Sequence, residues 1–138
     1  MKTVLSIILF LCLTFPAQAI TTEESIYLEN VDTVLQEMNE LVEGIDLSTL
    51  TTEQSETIQN ELQTLSDRVL TKDLPEDNTA TWDLLSYATS KSCESLIVCF
   101  EAYEDGDLLT GSYASEDSIE YATLCITLLD LLKEREGE

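Results

Sequence analysis

Tyr27-Leu28-Glu29-Asn30-Val31-Asp32-Thr33-Val34-Leu35-Gln36-Glu37-Met38-Asn39-Glu40-Leu41-Val42-Glu43-Gly44-Ile45 is the stretch that decides the fold class. Leu28, Val31, Leu35, Met38, Val42 and Ile45 follow one another at alternating steps of three and four, and Tyr27, Val34 and Leu41 repeat every seventh residue beside them. On a helix these positions form one apolar stripe, wide enough to face a core. Glu29, Asp32, Glu37, Glu40 and Glu43 take the other positions and make an acidic, wetted face. Thr21 or Thr22 can cap the start, Glu23 and Glu24 suit the positive end of the helix dipole, and Gly44 marks the end.

The same rhythm recurs downstream. Thr51-x-x-Gln54 has the capping-box form, and Ile58, Leu62, Leu65 and Val69 continue at steps of three and four. Thr71 to Asn78 reads as a loop, because Pro75 cannot continue a helix. Asp77 or Asn78 would cap a third helix running to about Glu104. Its expected inner face is Trp82, Leu85, Leu96, Cys99 and Tyr103, widened by Ile97 and Phe100. Leu96-Ile97-Val98-Cys99-Phe100 alone would also suit a buried strand, but the helical frame around it favours helix. Glu104-Asp105-Gly106-Asp107 is a turn, and the weak pattern through Gly111 and Ser112 blurs the start of the fourth helix. There Ile119, Ala122, Cys125, Leu129 and Leu132 are expected to face inward, with Lys133 and Arg135 complementing the dipole in the last turn. The helices expected are about 22–44, 51–71, 78–104 and 112–135. Together they predict an all-α, up-down-up-down four-helix bundle forming a single acidic domain over residues 20–138.

Residues 1–19 read differently. Lys2 precedes the apolar run Val4–Leu13, Pro16 interrupts it, and Ala17-Gln18-Ala19 has the small-x-small form that signal peptidase requires. The run is shorter than the roughly 20 residues that span a bilayer. Cleavage before Ile20 predicts a secreted protein, extracellular or periplasmic, with no membrane anchor. Leu11 before Cys12 is unsuited to lipid modification. None of the four asparagines downstream is followed by the hydroxyl residue of an N-glycosylation site.

The whole chain of 138 residues has 6 basic and 28 acidic side chains, for a net charge of −22, and no histidine. Of the signal residues only Lys2 is charged, so its removal leaves a net charge of −23. Residues 20–50 hold eight acids and no Lys or Arg. Such a surface repels nucleic-acid phosphates and anionic membranes and favours a cationic protein as partner. The alternative reading of the same acidity is solubility or adaptation to a salty medium.

Three cysteines survive cleavage, and export exposes them to oxidising conditions. Cys93 and Cys99 lie about 9 Å apart along one helix, too far to bridge. Either would pair with Cys125. A hairpin centred at residue 109 pairs Cys93 with Cys125, one centred at 112 pairs Cys99 with Cys125, and Gly106 and Gly111 favour the first. Cys99 would then be a buried small hydrophobe, although an intermolecular bridge is also open.

Chemistry-bearing motifs are scarce. An EF-hand loop built on Gly106 would place Tyr103 at a ligand position and Ser112 where the bidentate glutamate belongs. Without histidine, neither haem ligation nor a di-iron bundle is available, so no cofactor and no metal is expected. No nucleophile elbow, phosphate loop or Cys–His pair occurs, and the expectation is a non-enzymatic protein with no catalytic residue. Ala102-Tyr103-x-x-Gly106-Asp107-Leu108 resembles the turn of a tetratricopeptide unit, but no period of about 34 residues accompanies it. The sequence points first to a secreted or periplasmic acidic interaction module, with a binding, inhibitor or immunity-like role toward a cationic partner. The alternatives are a carrier holding a small apolar ligand, lined by Trp82, Tyr87, Phe100, Tyr103 and Tyr121, and a structural, self-associating secreted protein.

Overall fold

Thr21 and Thr51 open the first two helices with the same chemistry. The Glu24 amide donates to Thr21 Oγ1 at 3.2 Å while Thr21 donates its own amide to Glu24 Oε1 at 3.4 Å. The Gln54 amide likewise donates to Thr51 Oγ1 at 3.2 Å, and the Thr51 amide to Gln54 Oε1 at 3.0 Å. Each box satisfies donors that a helix start leaves bare. In the computed structural model, which describes residues 21–71 and 79–136, four helices follow: α1 Thr22–Val42, α2 Thr52–Thr71, α3 Thr79–Glu104 and α4 Leu108–Glu136. Among the described residues there is no strand, so Leu96–Phe100 is helical. The signal segment, the loop with Pro75 and the caps expected at Asp77 or Asn78 lie outside the described residues.

The core joins all four helices. Tyr27, Leu28, Val31, Val34, Leu35 and Met38 of α1 are buried, as are Leu62, Leu65 and Val69 of α2. Trp82 and Leu85 of α3 meet Leu128, Leu129 and Leu132 of α4 in the same cluster, and Tyr27 sets its ring edge-on to Trp82 at 5.6 Å. The face expected of α1 is the face that is buried, with Leu41, Val42 and Ile45 half-buried at its end. Helix α3 is the hub: it packs against every other helix, most extensively α4 and then α2, whereas α1 is held more lightly.

The α3–α4 connection is tighter than the sequence suggests. Gly106 at φ +75° ends α3; its amide donates to the Tyr103 carbonyl at 3.2 Å and that of Asp107 to the Ala102 carbonyl at 2.8 Å. Asp107 immediately caps α4, accepting the Thr110 amide at 3.1 Å and the Thr110 hydroxyl at 2.6 Å. The fourth helix thus begins at Leu108, not at about 112.

The inward face of α4 also differs from the expected stripe. Ile119 is 64 % exposed, against expectation, and Ala122 is half-buried. Ser118 turns in instead: its hydroxyl donates to the Ser92 carbonyl at 2.9 Å, and the Ser92 hydroxyl to the Ser118 carbonyl at 3.0 Å. The stripe's other members, Cys125, Leu129 and Leu132, are buried. On α3, Thr89, Ser92 and Cys93 are fully buried between the expected apolar positions, and Leu96, Ile97 and Tyr103 are only half-buried.

No disulfide joins the three described cysteines, expected to pair as Cys93–Cys125 or Cys99–Cys125. Cys93, Cys99 and Cys125 are free and buried. Contacts between α3 and α4 place Ser92 on Ser118 and Thr89 on Cys125. The hairpin is therefore centred between residues 105 and 107, not at 109 or 112, and the register partner of Cys125 is Thr89, at 3.3 Å. Cys93 turns toward α1, where its thiol donates to Met38 Sδ at 3.7 Å.

Candidate functional site

On α1 the acidic residues divide by angle. Asp32 and Glu37 lie about 140° apart around the helix, one on each edge of the outward face, with Glu29 and Glu40 between them. Asp32 accepts from Lys133 Nζ of α4 at 2.9 Å, and Glu37 from Arg68 Nη1 of α2 at 2.7 Å. Both pairs are about two-fifths exposed, so each contributes at most about 1 kcal/mol. They strap α1 to its neighbours. Glu29, Glu40 and Glu43 are exposed and carry no ion pair among the described residues.

The Glu37 edge continues into a groove between α1 and α2. Its upper part, about 350 Å³, has Leu41 and Leu65 as floor and Glu37, Glu40, Glu61 and Arg68 as banks. Its lower part, about 440 Å³, is floored by Leu41, Ile45, Leu50 and Ile58, with Glu53 on its rim. Leu41 borders both parts. The groove lies where α1 and α2 pack lightly against each other, above the connecting segment Glu43–Thr51. Asp46 organises that segment by accepting the Ser48 amide at 3.0 Å and hydroxyl at 2.6 Å, which holds its carboxyl below the usual range.

The residues expected to line a ligand cavity are dispersed. Trp82 is core, and Tyr87 and Tyr121 meet edge-on at 6.2 Å on the outside of α3 and α4, with Lys91 Nζ 5.7 Å from the Tyr87 ring centre. Phe100 and Tyr103 line a small depression of about 180 Å³ beside the Glu43–Thr51 segment. Among the described residues no three acidic or cysteine side chains converge as a metal site. The thiols are unreactive by environment: burial pushes Cys93 up to about 12 and Cys125 up to about 11, and it raises Cys99 as well.

Comparisons with protein-family models, with curated proteins and with solved structures return no match. No helix among the described residues is long and apolar enough to cross a membrane. The α2 bank of the groove is not evident in the sequence. Glu61 and Arg68 lie seven residues apart beside Leu65, a spacing that puts them on one side of the helix. Nothing in that spacing says that α1 leaves the side uncovered.

Proposed function

We propose that this chain is exported on residues 1–19, forms an up-down-up-down bundle, and acts without catalysis as an acidic module that binds a cationic protein. The connectivity is supported by the inter-helix contacts. Gln59 meets Glu104 and Ser66 meets Ser90, then Ser92 meets Ser118 and Thr89 meets Cys125. Residue numbers fall along one helix as they rise along its neighbour. The export step is tested by N-terminal sequencing of the secreted protein, which should begin at Ile20.

One observation carries the binding role. Arg68, Lys91 and Lys133 are each committed to an internal ion pair, whereas Glu29, Glu40 and Glu43 face outward with no cation from the described residues. A surface left so one-sided attracts cationic partners and raises their association rate at low ionic strength. Affinity purification from the compartment of export should recover a basic protein that moderate salt releases. The triple substitution E29Q/E40Q/E43Q should recover less of it. Equal recovery by the triple variant would remove the assignment of this face.

A further inference from the structure

We infer that the α1–α2 groove seats a cationic amphipathic helix of a partner protein; this rests on the cationic-partner reading above and adds the place and form of contact. Three observations carry it. First, the floor is apolar and open: Leu41, Ile45, Leu50 and Ile58 are only half-buried although they border the core cluster. A helix laid there would complete the packing that α1 and α2 do not supply to each other.

Second, the dimensions and periodicity suit a helix. The α2 wall runs from Glu53 to Arg68, about 22 Å at 1.5 Å per residue, or roughly four turns. Ile58 and Leu65 on α2 are seven residues apart, two turns along one face, which matches partner anchors at i and i+7, while Leu41 of α1 and Ile45 of the connecting segment close the other side. The described residues contain no sheet edge for an extended strand to join.

Third, the charge selects the sign of the occupant. Glu37 and Glu40 form one bank, Glu53 and Glu61 the other, and among the described residues Arg68 is the one cation that lines the groove. Arg68 already shows the contact a partner's arginine would make, bridging to Glu37 at 2.7 Å. A second copy of this chain is a poor occupant, since at net charge −22 its helices would bring carboxylates to carboxylates.

The test uses the protein as purified after export and two synthetic 16-residue peptides of identical Leu, Lys and Arg content. One peptide has its leucines at steps of three and four with basic residues alongside; the other scatters the leucines around the helix. The first should bind at least about tenfold more tightly, with backbone NMR shifts centred on Leu41, Ile45, Ile58 and Leu65. L41N should weaken it by about tenfold. E61K, an exposed change that leaves far-UV dichroism and Tm intact, should weaken it about fivefold, whereas E116K on α4 should change it less than about twofold. Equal binding of the two peptides, or shifts centred elsewhere, would overturn the groove while leaving a cationic partner in place. Failure of both peptides to bind at low salt would overturn both readings. Self-association abolished by L41N would replace the helix with a second copy and also overturn the inference.

Discussion

Ser92 and Ser118 join α3 to α4 with two buried hydroxyls, each donating to the other residue's carbonyl. Removing one by S118A should cost about 1 kcal/mol in urea denaturation, the ordinary worth of such a bond. S118L, which puts a large apolar side chain at this buried position, should cost more than S118A, because the close helix approach has no room for it. A stabilised S118L would refute this account of the interface. Here the sequence misleads for a physical reason: apolar spacing rewards Ile119, but small hydroxyl side chains that bond across the interface pack more closely. The thiols give a second residue-scale prediction. Cys93 and Cys125 have folded pKa values of about 12 and about 11 against an ordinary 9.0, so the neutral thiol is favoured in the folded state. Their contribution is intact below pH 9 and is lost as pH rises through the folded values, so stability should fall across that window. Disulfide-exchange reagents at about pH 8 should label them only as fast as the protein opens.

The starts of α1 and α2 are the helix ends most legible in the sequence. Thr21 with Glu24 and Thr51 with Gln54 form the reciprocal boxes that their spacing announces. T51A should destabilise by about 1 kcal/mol. G106A should cost a similar amount, since φ +75° strains any residue with a Cβ even though the space around it is open. The start of α4 was hidden by Gly111, which resembles a turn signal but lies within the helix. A Cβ there would come 2.9 Å from Tyr103 Cε2, so this glycine serves close packing of α3 against α4 and not a bend. The groove was hidden in another way. Leu41, Ile45 and Ile58 carry the same periodic signal as fully buried residues, and only three-dimensional packing reveals that they remain half-covered.

Across the whole molecule, charge sets the response to solution conditions. Moving from about 20 mM to about 300 mM salt should raise Tm by several degrees, because screening relieves the repulsion among carboxylates. Lowering the pH from 7 toward about 5 should act in the same direction as carboxylates begin to protonate. Below the ordinary carboxylate range the trend should reverse. Asp46 and Asp107 are held below 3.8 by Ser48 and Thr110, so the stability they add is present above that value and lost as pH falls through their folded values. A Tm indifferent to both salt and pH would show that self-repulsion is negligible here.

The uneven packing of the four helices also implies an order of departure. Helix α1 touches its neighbours least, and its edges are held by exposed pairs to Arg68 and Lys133, while α3 and α4 share the broadest interface across a three-residue turn. Native-state hydrogen exchange should therefore find α1 amides opening at a lower free energy than those of α3, as a separate cooperative unit. K133A and R68A should lower that local opening energy further while leaving α3 protection almost unchanged. A helix in the groove would cross the seam along which α1 detaches, so binding there would slow the exchange of amides that it never touches.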